Sequence, residues 1–297
     1  MVRATTRLRT LLASGRIAVA PGAYDGLSAR LVEQAGFPAI YASGGAIARS
    51  AGVPDLGLIS VSAIVDRLAA MVDVVEAPVV ADADTGYGNA LNAQAAARAF
   101  ERAGVAALHL EDQTFPKKCG HYDDKSLVAV GEMVQKLKVV RDVLHDPDFV
   151  VIARTDARGV NGFDDAVARA RLYLEAGADA IFPEALESAQ EFAAFAQAVP
   201  APLLANMTEF GRTPFFTAAE FEAMGYRMVI WPVSSLRVAN KAQETLYAAI
   251  ARDGGAHGMI DQMQTRAELY ATIGLHDYES LDASIVESVV PEAAPGR

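Results

Sequence analysis

A chain of 297 residues with 52% hydrophobic content, 23 glycines and 13 prolines can bury one large core, which excludes a disordered or fibrous polymer. Its net charge of -11 excludes the clustered basic surface that nucleic acid or an anionic membrane requires, yet a few local cations could still hold a small anionic substrate. A single cysteine forms no internal disulfide, so the thiol is either a buried small hydrophobe or a reactive group in a reducing compartment, and the expected location is cytoplasmic.

In chain order, the basic N-terminus "MVRATTRLRTLLASGR" has no apolar run long enough for a signal peptide, and nothing later reads as a membrane span. The first strand is "RIAVAPGAYDG" from Arg16. One phrase then recurs: "AGFPAIYASG" at Ala35, "AGVAALHLED" at Ala103, "AGADAIFPEA" at Ala176 and, more loosely, "MGYRMVIWPV" at Met224. Each is a helix ending at glycine followed by a short apolar strand. Strands of a second style fall between them, "APVVADADTG" from Ala77, "DFVVIARTDA" from Asp148 and "APLLANMTEF" from Ala201.

Amphipathic, alanine-rich segments such as "NAQAAARAFERAG" and "DDAVARARLYLEAG" separate the strands, so the α/β pattern is that of a (β/α)8 TIM-type barrel. An open doubly wound sheet competes, but no GxGxxG follows the first strand. "NKAQETLYAAIARDGG" and "TRAELYATIG" are extra C-terminal helices. The expected organisation is one barrel domain over residues 1–297 with a helical extension from about residue 253, which caps the barrel or exchanges with a partner subunit.

Each strand turns abruptly polar at its C-terminal end, and in a parallel barrel these ends share one face. Helix capping explains any one such residue, but not the convergence of Asp82, Asp84, Glu111, Arg154, Glu184 and Arg237. Asp82 and Asp84, two apart on one strand, point to the same side, with Glu111 arriving from the next. Crowded carboxylates repel unless a cation neutralises them, and an all-oxygen cluster fits Mg2+, with Mn2+ as the substitute. Arg154, Arg237, Asn206, Thr208, Ser43 and the N–H groups of Gly44 and Gly45 form a candidate clamp for a carboxylate substrate.

The longest polar excursion, Glu111 to Val128, contains Pro116 and Gly120 and suits a lid better than a helix. It carries the one cysteine, Cys119. Its neighbours Lys117, Lys118 and His121 are expected to lower the thiol pKa and favour thiolate or ready proton donation.

"KKCGH", with "ADADTGYG", "LEDQ", "IARTDA" and "FPEA", resembles the isocitrate lyase and phosphoenolpyruvate mutase superfamily from Pro21 to about Tyr278. "NMTEFGRTPFFTAAEF" followed by "SSLRVANKAQETLY" is most similar to the 2-methylisocitrate lyases. The resemblance implies Mg2+ dependence, a homotetramer with exchanged C-terminal helices, and retro-aldol-type cleavage of 2-methylisocitrate to pyruvate and succinate, as in the methylcitrate cycle of propionate catabolism.

In that reading Asp82, Asp84 and Glu111 hold the metal, Asp55 either reaches it through water or caps a helix, and Cys119 is the general acid. Tyr41, Glu184 and a metal-linked residue are the candidate bases. Lys117 and His121 complete the catalytic set, and Lys118 and Gly120 join the substrate clamp. The alternatives are a lyase for isocitrate or dimethylmalate, a carboxyphosphonoenolpyruvate mutase-like enzyme, or an inactive metabolite-binding barrel.

Overall fold

Eight short strands form the centre of the computed structural model, which describes residues 2–286. They are β1 (Ala18–Ala23), β2 (Ile40–Ala42), β3 (Val79–Asp82), β4 (Ala107–Glu111), β5 (Val150–Thr155), β6 (Ala180–Pro183), β7 (Leu204–Asn206) and β8 (Met228–Trp231). All pairings are parallel, in the order β6-β5-β4-β3-β2-β1-β8-β7, and a bridge between Ile181 and Leu203 joins β6 to the segment leading into β7. The expected (β/α)8 barrel is thus present and nearly closed.

The strands read as continuous apolar runs because both faces are covered. Tyr41, Val80, Ala107, Val150, Ile152, Phe182, Leu204 and Ile230 fill the barrel interior, while Leu108, Leu110, Val151 and Ile181 pack outward in a second core. The sequence reading leaves residues 4–13 without an element. They form α1 (Ala4–Ala13), whose fully buried Leu8 packs with Leu12 into the interior cluster. Burying one such leucine contributes roughly 1.5–3 kcal/mol.

The connecting helices are α2 (Gly26–Gln34), α3 (Gly44–Ser50), α4 (Val61–Val72), α5 (Ala90–Arg102), α6 (Val130–Val143), α7 (Ala157–Val160), α8 (Phe163–Glu175), α9 (Ala189–Ala198), α10 (Ala218–Ala223) and α11 (Ser234–Asp253). Asp25, Asn89 and Thr217 close capping boxes on α2, α5 and α10, so these loop residues carry the plain capping role. Asp156 sits at the N-cap of α7 without capping it, which frees its carboxylate for other partners.

The chain divides into two compact units, Met1–Lys241 and Ala242–Arg297, with the division inside α11 and ahead of the expected boundary near 253. The first holds the barrel. The second holds the rest of α11, a 3-10 turn (His257–Gln262), α12 (Arg266–Ile273) and α13 (Leu275–Val286); the end of the expected extension, 287–297, lies outside the described residues. Among the described residues no helix is long and apolar enough to cross a membrane.

Candidate active site

On one side of the barrel mouth the carboxylates gather. Asp82 ends β3, but Asp84 lies beyond the strand at φ 46° and donates its N–H to Asp82 Oδ1 at 3.0 Å. Strand alternation therefore does not align the two, as the sequence led us to expect; a tight turn folded over Asp82 does. Asp55 comes from the loop after α3. Lys117, only 4% exposed, ion-pairs with Asp55 and with Asp84, the latter at 2.7 Å.

Burial, with the charges of Asp82 and Asp55, pushes the Asp84 carboxyl up to about 6 against the pull of Lys117. Burial works against the Lys117 ammonium too, but Asp84 and Asp55 outweigh it and raise its pKa well above the usual range. The Ser43-Gly44-Gly45 segment is the start of α3 rather than a bare turn. Ser43 Oγ accepts the Ala46 N–H at 3.1 Å. A Cβ on Gly44 would stand 2.8 Å from Asp82 Oδ2, and one on Gly45 2.8 Å from Asp55 Oδ2, so both glycines make room for carboxylates of the protein itself.

Across the mouth, one guanidinium serves three carboxylates. Arg154 Nε stands 3.0 Å from Asp156, 3.3 Å from Glu111 and 3.7 Å from Glu184. Glu184 also meets His121 Nε2 at 2.8 Å and accepts the Asn206 amide at 3.1 Å. Burial raises the Glu184 pKa, but Arg154 and His121 overcome it and hold this carboxyl well below its ordinary range. A carboxylate so firmly ionised is a weak base, which counts against Glu184 in that role. Glu111 goes the other way: burial lifts it well above the usual range despite Arg154, and its Oε1 is buried without a hydrogen-bond partner.

Asp156 and the residues behind it escaped the sequence reading, although they stand beside or within its quoted motifs. Asp112 accepts the Asp156 N–H at 2.9 Å, the Thr155 hydroxyl at 2.8 Å and the Tyr173 hydroxyl at 2.8 Å, with Arg169 at 3.3 Å. This buried network fixes the Asp156 backbone, and Asp156 in turn orients Arg154.

No helix forms between Glu111 and Val128, and the loop is tied across its base by a Gln113–Leu127 bridge and a 2.9 Å Thr114–Ser126 backbone bond. Lys125 holds its far side, reaching Asp156 at 2.8 Å. Gly120 rests on the Arg154–Glu184 pair, where a Cβ would lie 2.5 Å from both Arg154 Nη2 and Glu184 Cγ. The cations expected around Cys119 are engaged elsewhere: Lys117 with Asp55 and Asp84, Lys118 with the Asp124 carbonyl at 2.7 Å, His121 with Glu184. Sequence adjacency put charges next to the thiol; side-chain direction took them away.

Cys119 itself is half-buried and lines a cleft with Tyr41, Lys118, Arg154, Glu184 and Asn206. The cleft is concave and partly open to solvent. Ser43, Gly45, Asp55, Asp82, Lys117, Gly120, His121 and Thr208 also reach its wall. Arg237 stands at the rim, its side chain 46% exposed, 3.8 Å from Glu209 and stacked on Phe210. At the cleft floor Tyr41 Oη contacts His109 Nε2 at 2.8 Å and Asp82 Oδ2 at 3.3 Å. Burial first, and then the Asp82 charge, raises the Tyr41 phenol well above its usual range.

Residues 8–251 match the family described as Phosphoenolpyruvate phosphomutase. The chain belongs to the phosphoenolpyruvate mutase and isocitrate lyase family. It is 49% identical to the 2-methylisocitrate lyase of Bacillus subtilis (strain 168) over 96% of this chain and 94% of that one. The crystal structure of 2,3-dimethylmalate lyase superposes with a TM-score of 0.92 at 36% identity, covering 100% of both chains. A phosphonopyruvate hydrolase in complex with oxalate and Mg2+ superposes at a TM-score of 0.88 and 33% identity over 96% of this chain and 100% of that one.

Do the residues here fit a divalent cation? As they stand, no three Asp, Glu, His or Cys side chains among the described residues are placed to share one ion, and the Lys117 ammonium sits between Asp55 and Asp84. The donor chemistry nevertheless fits. Asp55, Asp82, Asp84 and Glu111 are all hard oxygen donors, Glu111 Oε1 lacks a partner, and Asp84 Oδ1 has Lys117 nearby but no donor at a hydrogen-bonding angle. Burial is the main cause of the raised Asp84 and Glu111 pKa values, and neighbouring carboxylates add to it.

Proposed function

We propose that this chain is a carbon–carbon lyase that cleaves 2-methylisocitrate to pyruvate and succinate. The observation that carries the reading is the cleft itself, where the lid thiol of Cys119 shares one small volume with Tyr41, Arg154, Glu184 and Asn206. The 49% identity to a 2-methylisocitrate lyase over nearly the full length of both chains supports the choice of substrate. The reading extends to a cytoplasmic homotetramer with exchanged C-terminal helices, and to Mg2+, or Mn2+ in its place, as the cofactor.

Asp82, Asp84 and Glu111, with Asp55 through water, would hold the metal, whose chemistry is Lewis-acid polarisation of the substrate hydroxyl and its adjacent carboxylate. The protein supplies the rest. Arg154, Asn206, Thr208, Lys118 and the rim cation Arg237 receive the substrate carboxylates.

Tyr41 takes the proton of the substrate 2-hydroxyl while handing on its own phenol proton through its hydrogen bonds at the cleft floor. The C2–C3 bond opens, the C2–O pair becomes the keto group of pyruvate, and the C3 electron pair passes into the neighbouring carboxylate as an aci-dianion. Cys119 then gives its S–H proton to that carbon, completing succinate, and the tyrosine proton and the thiolate re-equilibrate with solvent when the lid opens. Glu184 serves as the anchor that holds His121, Asn206 and Arg154 in register rather than as the base.

Product analysis with methylisocitrate, isocitrate and 2,3-dimethylmalate offered separately, with Mg2+ and a reductant, tests the assignment. Pyruvate plus succinate from methylisocitrate is the expected result. Glyoxylate from isocitrate, or turnover of dimethylmalate in preference to methylisocitrate, would move the assignment to those substrates.

A further inference from the structure

His109 lies in β4 and is completely buried, with its ring edge against Phe182 (centroids 5.5 Å apart, planes at 79°) and stacked near Tyr41. Its Nε2 is 2.8 Å from Tyr41 Oη and 3.5 Å from Asp82 Oδ1, while its Nδ1 is buried with no hydrogen-bond partner. Either oxygen or nitrogen could donate across the 2.8 Å contact, and the lone Nδ1 decides which.

A ring protonated only on Nδ1 would bury an N–H with nothing to accept it, a severe and rare defect; a bare Nδ1 lone pair is the cheaper orphan. A ring protonated on Nε2 satisfies the donor at once. A doubly protonated ring also carries its proton on Nε2, so the direction of the bond does not depend on the charge of the ring. With Nε2–H donating to Tyr41 Oη, the phenol's own proton is left to point at Asp82 Oδ2, 3.3 Å away.

We propose that His109 is the positioning residue of Tyr41: its Nε2–H donates to Tyr41 Oη and fixes the rotation of the phenol O–H toward Asp82. The proposal rests on the reading of Tyr41 as the base given above. Asp82, the other hydrogen-bond partner of the phenol, offers only acceptor oxygens, and Phe182 packs against the imidazole. His109 is not itself among the residues that line the cleft; it stands behind Tyr41 and, at 3.5 Å, Asp82.

Two measurements test it, one independent of turnover. In full-length protein labelled with 15N-histidine, the His109 ring signals are identified by their loss in His109→Gln. A proton on Nε2 is the expected result; a ring protonated on Nδ1 alone overturns the proposal. In kinetics, a glutamine amide can reach the Nε2 position whereas an asparagine amide mimics Nδ1. His109→Gln should keep kcat within about tenfold of wild type, the worth of one strained hydrogen bond. His109→Asn should lose on the order of a hundredfold in kcat with KM little changed, the pattern of an interaction made in the transition state.

Equal losses in Gln and Asn variants of matched thermal stability overturn it. Variants that fail to fold leave the ring shifts of the wild type to decide. If the wild type turns over none of the three hydroxy acids, the function reading fails, and the shifts still report whether His109 donates to Tyr41.

Discussion

Both ends of the barrel are laced with ion pairs, and they differ in what water is allowed to do. At the N-terminal end Arg3 reaches Asp146 at 2.7 Å and Arg9 reaches Asp179 at 3.0 Å, with Arg3 57% and Arg9 34% exposed. These pairs tie α1 over the base of the barrel and remain solvated, so each is worth little beyond fixing the helix. At the C-terminal end Lys117, Arg154 and Glu184 are buried and shared among several partners. There the same residue types shift one another's pKa values, because no water screens them. Similar chemistry is structural at one end and reactive at the other, and exposure makes the difference.

Substitutions at the two ends should separate these roles. The largest effect is expected for Cys119→Ser, which should lose on the order of a thousandfold in kcat with its thermal midpoint unchanged, as for loss of a general acid. A variant with full turnover would remove the thiol from the chemistry. Next comes a pH effect on stability. Burial, opposed by Asp82, pushes the buried His109 down to about 4. The unfolded chain takes up that proton at about 6.5, so it binds more protons than the folded state between these values. Wild type should therefore lose stability relative to His109→Gln as pH falls from about 6.5 to about 4, by up to about 3 kcal/mol at 1.4 kcal/mol per pH unit. Denaturant unfolding at pH 7.5 and 4.5 measures it, and a pH-independent difference would contradict the shift.

Gly120→Ala sharpens the view of the lid. Its Cβ would collide with Arg154 and Glu184, and displacing the loop by an ångström should cost about a hundredfold in kcat. Steady-state kinetics beside an unchanged unfolding curve would place the defect in lid seating. The smallest effect belongs to the barrel base: Arg9→Ala should cost roughly 1 kcal/mol of stability and leave kcat/KM as in wild type. A catalytic defect there would break the distinction between the two ends.

Much of this was legible in the sequence because a barrel repeats itself. Helix-glycine-strand phrases at Ala35, Ala103 and Ala176 announce parallel βα units, and the polar residue closing each strand must then lie on the shared C-terminal face. Asp82, Glu111, Arg154 and Glu184 were assigned to the mouth that way, and Cys119 by the long polar loop that carries it. His109 was not: it sits inside an apolar strand, where an isolated histidine gives no sign of the tyrosine it will meet from another strand. Asp112 and Asp156 were within sight, each beside a chosen residue, but which of two neighbouring acids faces the mouth is set by the turn after the strand. Helix α1 was missed because its short apolar face, centred on Leu8 and Leu12, gains its meaning only from the open barrel base it covers.

The sequence by itself determined the number and direction of the strands, the face on which the chemistry gathers and the family to which the chain belongs. These follow from local periodicity and from residues fixed to strand ends. Only the tertiary structure decided the pairings: Lys117 among the aspartates instead of beside the thiol, Glu184 held ionised by Arg154 and His121, Tyr41 on His109. Long side chains choose partners through space by charge and desolvation, and neither is encoded in the order of neighbours along the chain.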